Sequence, residues 1–226
     1  MIISNVSKAM GKFRLGIDSL AMSSPRVYGL IGANGSGKST AAKLIAGIFP
    51  PDSGVINSEG LSPQDITMIT QKPYMMNDSI YNNLVYPLKI RGIAPNLSVC
   101  DEMLSRCGLL DRKRQNARSL SGGEQQKLAL CRAMIFRPKL IIADESFTDL
   151  DIDSVDSFEE MVLVMQRESP IIWLIISHQM PHIRRLCDYV FFMSAGKIEI
   201  HGTPEEIFSS QNTVIRKFLK YEFGDV

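Results

Sequence analysis

Short apolar runs and turn residues alternate along the chain. Val27 to Ile31 is β-rich and runs at once into a glycine-rich turn. Ala41 to Ile48 reads as a helix with Leu44, Ile45 and Ile48 on one side, ended by Pro50-Pro51-Asp52-Ser53-Gly54. From about Pro73 to Arg137 the pattern turns helical. Ser79 is placed to cap a helix through Tyr81 and Leu84, and Leu97 to Leu110 forms another. A third, from about Gly122 to Phe136, carries Leu128, Cys131, Met134 and Ile135 as its buried stripe, and Pro138 closes it. Leu140 to Ala143 and Ile171 to Ile176 are apolar on both faces, as strands of a parallel sheet covered by helices must be. Between them, Asp153 is a plausible cap for a helix whose inward stripe is Val155, Phe158, Val162 and Met165. A last β-like run, Tyr189 to Met193, turns at Ser194 to Lys197 into Ile198 to Ile200, and one or two short helices follow Thr203.

Strands and helices alternate at both ends around a helical block. This predicts an α/β fold: a parallel-sheet core with an inserted helical lobe. The expected organisation is a single domain over 1–226, with residues 1–72 and 138–226 in the core and 73–137 in the lobe.

Composition narrows the function. The 226 residues amount to roughly one and a half average domains. Lys plus Arg number 25 against 24 Asp plus Glu, and this balance argues against a nucleic-acid-coating protein. The longest apolar runs fall far short of the ~18–20 residues that cross a bilayer. The first residues show no secretory pattern, and the length leaves no room for long coiled-coil arms or two tandem ATPase modules. Cys100, Cys107, Cys131 and Cys187 show no CxxC spacing, so reduced thiols are expected.

Gly32-Ala33-Asn34-Gly35-Ser36-Gly37-Lys38-Ser39-Thr40 fits G-x-x-x-x-G-K-[ST] between an expected strand and an expected helix. Glycines let successive N–H groups turn toward phosphate oxygens, and the helix N-terminus adds partial positive charge. Lys38 can then reach the β- and γ-phosphates, and the Ser39 hydroxyl can ligate Mg²⁺. Leu120-Ser121-Gly122-Gly123-Glu124-Gln125-Gln126 opens the third helix of the block. Alone it reads as a helix cap with a Ser121–Glu124 capping box; its N–H groups and hydroxyl also make a second anion site.

Three further elements follow expected strands: Gln71 after Ile66 to Thr70, Asp144-Glu145 after Leu140 to Ala143, and Ser177-His178-Gln179 after the last buried run. In this order, with the phosphate loop and Leu-Ser-Gly-Gly-Glu-Gln, they resemble the ATP-binding cassette (ABC) ATPases over nearly the whole chain. The resemblance implies that fold, including an antiparallel β portion, and ATP with Mg²⁺ as cofactors. It implies ATP contacts from Asn34 to Thr40, and Mg²⁺ held by Ser39, Asp144 and Gln71. Glu145 would be the general base, Gln71 would sense the γ-phosphate, and His178 would bind it and orient Glu145. Ser121, Gly122, Gly123 and Glu124 would cover the ATP of a second subunit in a head-to-tail dimer. Both halves of that composite site are present here, so a homodimer suffices.

The chain departs from the family pattern in places. After Asp144-Glu145 it reads Ser146-Phe147-Thr148-Asp149-Leu150-Asp151, with Asp149 where a small residue is usual. The aromatic that stacks on adenine is replaced by Met10, with Phe13 close enough to substitute; both could equally be core residues. The turn Pro25-Arg26-Val27 lacks the usual glycine.

With no membrane span, such a clamp needs a separate membrane partner. Lys72-Pro73-Tyr74-Met75-Met76 places methionines and an aromatic where a turn would be polar; these side chains either dock a partner helix or cap the lobe's own core. In the family, transmembrane permease subunits dock here, near Gln71 to Asn83. The segment to Gly92 is similar to bacterial importer ATPases serving oxyanions such as phosphate or tungstate. That implies a peripheral subunit on the cytoplasmic membrane face, an extracytoplasmic solute-binding protein, and no nucleic acid. The segment after Glu206 is too short for an appended regulatory domain. The competing readings are an exporter or lipid-extracting ATPase, a soluble ABC machine on DNA or ribosomes, and a P-loop kinase.

Overall fold

The computed structural model describes residues 1–147 and 152–223, with the side chains of residues 222 and 223 left aside. The expected Asp149 departure, and Asp151, lie outside the described residues.

Two sheets share the strands. In the first, β1 (Ile2–Met10) pairs antiparallel with β2 (Phe13–Ala21) and with β4 (Ser53–Asn57). The second contains β3 (Val27–Ile31), β5 (Ile66–Thr70), β6 (Leu140–Asp144), β7 (Ile172–Ile176), β8 (Tyr189–Ser194) and β9 (Lys197–Gly202). Its order is β5-β6-β7-β3-β8-β9, parallel except for β9. Because side chains alternate along a strand, each central strand feeds two cores. Ile141, Ala143, Trp173 and Ile175 pack to one side, against the helices. Leu140, Ile142, Leu174 and Ile176 pack to the other, against β1, β2 and α1 (Lys38–Ile45). This explains runs with no polar position.

Between β5 and β6 lie α2 (Ile80–Ile90), α3 (Leu97–Arg106) and α4 (Gly122–Met134). Ser79 and Asn96 accept hydrogen bonds from first-turn N–H groups of α2 and α3, so polar caps start both helices. The chain continues with α5 (Ile152–Glu168), α6 (Met180–Leu186), α7 (Pro204–Phe208) and α8 (Thr213–Phe223). Val155, Phe158, Val162 and Met165 of α5 are buried as expected, but Asp153 lies within the first turn and does not precede it. Ile48 lies beyond α1 and is exposed, because Gly47 at φ +70° turns the chain away.

Two of the cysteines, expected as separate thiols, lie side by side. Cys107, just after α3, and Cys131 of α4 face each other with Cα atoms 7.6 Å apart, wider than the ~4.4–6.8 Å usual for a disulfide. Sequence spacing could not show a pair that meets only when α3 packs on α4. Cys100 and Cys187 are free and buried, and burial pushes the Cys187 thiol well up.

Candidate functional site at the strand carboxyl ends

Parallel strands bring their following loops to one edge, where ligands of such sheets bind. Thr70, Asp144 and Ile176 stand level in register across β5, β6 and β7, and Leu30 of β3 pairs with Ile176. Gln71, Glu145, His178 and the loop from Gly32 therefore leave adjacent strands at one edge of the sheet.

The phosphate loop is shaped by backbone conformations that side chains resist. Gly32 has φ +149°, and a Cβ there would lie 2.0 Å from the Met193 carbonyl oxygen. At Gly37, φ +109°, a Cβ would meet the Phe13 ring at 2.9 Å. Gly35 is left-handed too, at φ +79°. Gly37 also caps α1 without any side-chain hydrogen bond, and the buried Ser36 Oγ has no hydrogen-bond partner among the described residues. An uncapped helix start beside an unsatisfied hydroxyl fits an anionic ligand such as a phosphate chain. Asn34 is exposed at the loop tip, and Thr40 lies in the first turn of α1.

Lys38 is buried, and its ammonium donates to the carbonyls of Gly32 at 2.7 Å and Ala33 at 3.2 Å. It also lies 3.9 Å from Glu145 Oε1. Ser39 Oγ donates to Asp144 Oδ1 at 3.3 Å. Burial raises the Asp144 carboxyl above its ordinary value and the charge of Glu145 adds to this, against the Ser39 hydrogen bond and Lys38. A hydroxyl and a carboxylate are hard oxygen donors that suit Mg²⁺, which takes few protein ligands when phosphates supply the rest. Among the described residues no cluster of three or more His, Cys, Asp or Glu could hold a metal, and none is needed for that mode of binding.

Glu145 has φ +51°, a conformation uncommon for a side-chain-bearing residue. Its N–H donates to the Ile176 carbonyl at 2.9 Å, so the turn stays tied to β7. His178 Nδ1 lies 2.8 Å from Glu145 Oε2. An ionised carboxylate only accepts, so Nδ1 carries the proton when Glu145 is charged. Ser146 is buried and donates to the Ile69 carbonyl at 3.3 Å, while Phe147 sits in the core. The departure from the family sequence is thus accommodated at these two positions by a hydrogen bond and by packing.

The structure does not bring every expected residue to this cluster. Phe13 is half-buried against Gly37, whereas Met10, its partner across the β1–β2 turn, is exposed. Ser121 and Gly122 are exposed at the start of α4, and Gly123 is buried. The capping box forms as the spacing suggests: Ser121 N–H donates to Glu124 Oε2 at 2.9 Å, and Glu124 N–H to Ser121 Oγ at 3.3 Å. Glu124 also pairs with Arg112. Burial works against its charged form, but the hydrogen bonds from Ser121 and Arg112 outweigh it and hold the carboxyl below its ordinary value.

Sequence reasoning overlooked Gln126. It is buried on α4 and donates to the carbonyls of Gln71 at 2.6 Å and Thr70 at 3.3 Å. A glutamine on the inward side of an otherwise apolar stripe was the available signal.

The chain matches known proteins along most of its length. Residues 15–148 match the ABC transporter family. The chain belongs to the ABC transporter ATP-binding family. It is 34% identical over 203 residues to the tungstate uptake system ATP-binding protein TupC of Peptoclostridium acidaminophilum, covering 87% of this chain and 95% of that one. It is 31% identical over 214 residues to the methionine import ATP-binding protein MetN of Latilactobacillus sakei subsp. sakei (strain 23K), but spans only 62% of that longer protein. The solved structure of cbiO1 from Clostridium perfringens, part of the ABC transporter complex cbiONQ, superposes with TM-score 0.79 at 22% identity over 98% of this chain and 94% of that one. That likeness bears out the α/β fold with its antiparallel portion. As an ABC ATP-binding chain it binds ATP, and no described helix is long and apolar enough to cross a membrane.

Proposed function

We propose that this chain is the ATP-hydrolysing subunit of a membrane importer, working as a head-to-tail homodimer. The observation that carries the reading is the Glu145–His178 contact of 2.8 Å, set 3.9 Å from Lys38 beside the phosphate loop. A carboxylate oriented by an imidazole next to a phosphate-binding lysine is equipped to take a proton from an attacking water.

The backbone and side chains from Asn34 to Thr40 would wrap the phosphates, and Phe13 or Met10 would contact adenine. The position of Phe13 against Gly37 favours Phe13. Ser39 and Asp144, with Gln71, would hold Mg²⁺, which when bound supplies charge neutralisation of the phosphates. Glu145 would accept the proton, and His178 would keep its carboxylate aimed and reach the γ-phosphate. The exposed Ser121 and Gly122, with Gly123 and Glu124, would close over the nucleotide of the second copy. ATP then bridges two chains, and its hydrolysis removes the bridge.

The membrane partner would dock on a groove of about 520 Å³ beside Gln71 to Asn83. Exposed Tyr74, Tyr86 and Ile90 rim it, and Met76 lines it. Met75 instead fills the helical core, so the methionine pair divides between packing and surface. Arg132 and Arg91 face the groove, which no carboxylate lines among the described residues. We assign the chain to the cytoplasmic face of the membrane, beside permease subunits and an extracytoplasmic solute-binding protein. The relative named for tungstate uptake, matched over 95% of its length, favours an oxyanion such as tungstate or phosphate as the solute.

The test is Glu145→Gln, which keeps the shape of the side chain but removes the base. With ATP and Mg²⁺ the variant is expected to sediment as a dimer and to hydrolyse at least ~10²-fold more slowly. Hydrolysis at the wild-type rate would sink the mechanism.

A further inference from the structure

Behind the Glu145–His178 pair lies a second carboxylate–histidine pair that the proposed chemistry does not use. Glu159 of α5 is 5% exposed and His182 of α6 is 9% exposed. His182 Nδ1 lies 2.6 Å from Glu159 Oε1, and Nε2 lies 2.5 Å from Gln179 Oε1. The other Glu159 oxygen receives Arg185 at 2.6 Å, and Arg185 also reaches Asp156 at 3.2 Å. The His182 ring stacks on Phe147 with centroids 5.0 Å apart and planes at 19°. Phe147 in turn meets the Phe158 ring edge-on at 5.0 Å.

We propose that His182, anchored by Glu159, is a positioning residue for Glu145 and His178. A buried carboxylate must be paired, and both oxygens of Glu159 are. Its Oε1 accepts a hydrogen bond from Nδ1–H and so fixes the plane of the imidazole, leaving Nε2 to accept from the Gln179 amide. That plane does two things at once. Its edge holds Gln179, the residue directly after His178. Its face holds Phe147, two residues after Glu145. The two segments that carry the reacting pair leave neighbouring strands and are tied once by their own 2.8 Å contact. His182 ties them a second time from behind. An apolar side chain would fill the same space at a lower desolvation cost, but would leave Gln179 without this hold.

This inference rests on the hydrolytic reading above, and the experiment separates the two. The purified chain is assayed for Mg²⁺-dependent ATP hydrolysis as wild type, Glu159→Met with His182→Leu, Gln179→Leu and Gln179→Asn. The apolar double variant keeps the packed volume and removes the buried charges together, a replacement often neutral for stability. It is expected to melt no lower than wild type, with KM for ATP within about twofold and kcat reduced about tenfold or more. Gln179→Leu, which touches only the link to Nε2, is expected to lower kcat with the same unchanged KM. Gln179→Asn, which keeps an amide able to donate to Nε2, is expected to recover part of that loss. Folded variants with wild-type kcat, or a loss of kcat that Gln179→Asn does not recover at all, would overturn the positioning role while leaving the hydrolytic reading intact. A wild-type chain without hydrolysis would remove both.

Discussion

The side-chain amide of Gln126 donates to the main-chain carbonyl of Gln71 at 2.6 Å, joining the helix that opens with Ser121-Gly122-Gly123 to the end of β5. The surface proposed to close on a second copy is thereby wired to a strand end beside the phosphate loop. Gln126→Ala leaves the Gln71 and Thr70 carbonyls without this donor, at a cost of about 1–3 kcal/mol. The melting temperature should fall by roughly 2–4 °C per kcal/mol. Calorimetry checks this, and an unchanged melting temperature would show that the link carries no stability.

His178→Ala removes the imidazole that contacts the Glu145 carboxylate at 2.8 Å. ATP binding, read by nucleotide fluorescence, should stay near wild type because the phosphate loop is untouched. Hydrolysis should fall about 10²-fold or more. Equal losses in both would place His178 in binding and not in the reaction.

The phosphate-loop glycines should not tolerate alanine equally. Gly32→Ala drives a methyl group into the Met193 carbonyl oxygen at 2.0 Å, and backbone cannot yield there. Gly35→Ala meets nothing within 4 Å and bears only the strain of φ +79°, about 1–2 kcal/mol. Thermal melts should rank Gly32→Ala well below Gly35→Ala, and the reverse order would contradict the packing described.

Stability should depend on pH through Glu124, whose folded-state carboxyl lies below the ordinary range. The unfolded chain then takes up the proton first as pH falls, so the contribution is complete above the unfolded value of ~4.3. It is lost as pH drops through the folded value. The melting temperature of Glu124→Gln should sit below wild type at neutral pH, and the gap should narrow as pH falls below ~4. A gap that stays constant down to pH ~3 would exclude this linkage.

Arg132 donates to the Tyr74 carbonyl at 2.9 Å, and burial lowers its pKa. Charge reversal by Arg132→Glu should abolish cosedimentation with the membranes of the native host while sparing ATP binding. Retained cosedimentation would move the docking surface elsewhere.

Much of the site was legible because its chemistry is local. Seven neighbouring residues, Asn34 to Thr40, make up the phosphate-loop motif, with glycine at both of its positive-φ positions. Asp144-Glu145 and Ser177-His178 follow apolar runs that announce strands in a covered sheet. Helix caps such as Ser79 were legible for the same reason: a hydroxyl and an N–H three residues on are close whatever the rest of the chain does. The two N-terminal strands β1 and β2 were not delineated, since their alternation mixes small and polar residues. The Cys107–Cys131 contact and the split between Met75 and Met76 depend on how helices pack, which no spacing reports.

The sequence by itself determined the family, the phosphate loop and the order of the candidate reacting residues, because each is written in contiguous residues with local physics. Only the tertiary structure decided that Glu145 and His178 touch, that Gln126 bridges α4 to β5, and that Glu159 and His182 are buried together. Those contacts join residues 33, 55 and 23 positions apart. They exist because parallel pairing of β5, β6 and β7 stacks distant loops at one edge, and because helices covering the sheet leave their few polar side chains nowhere to go but to one another.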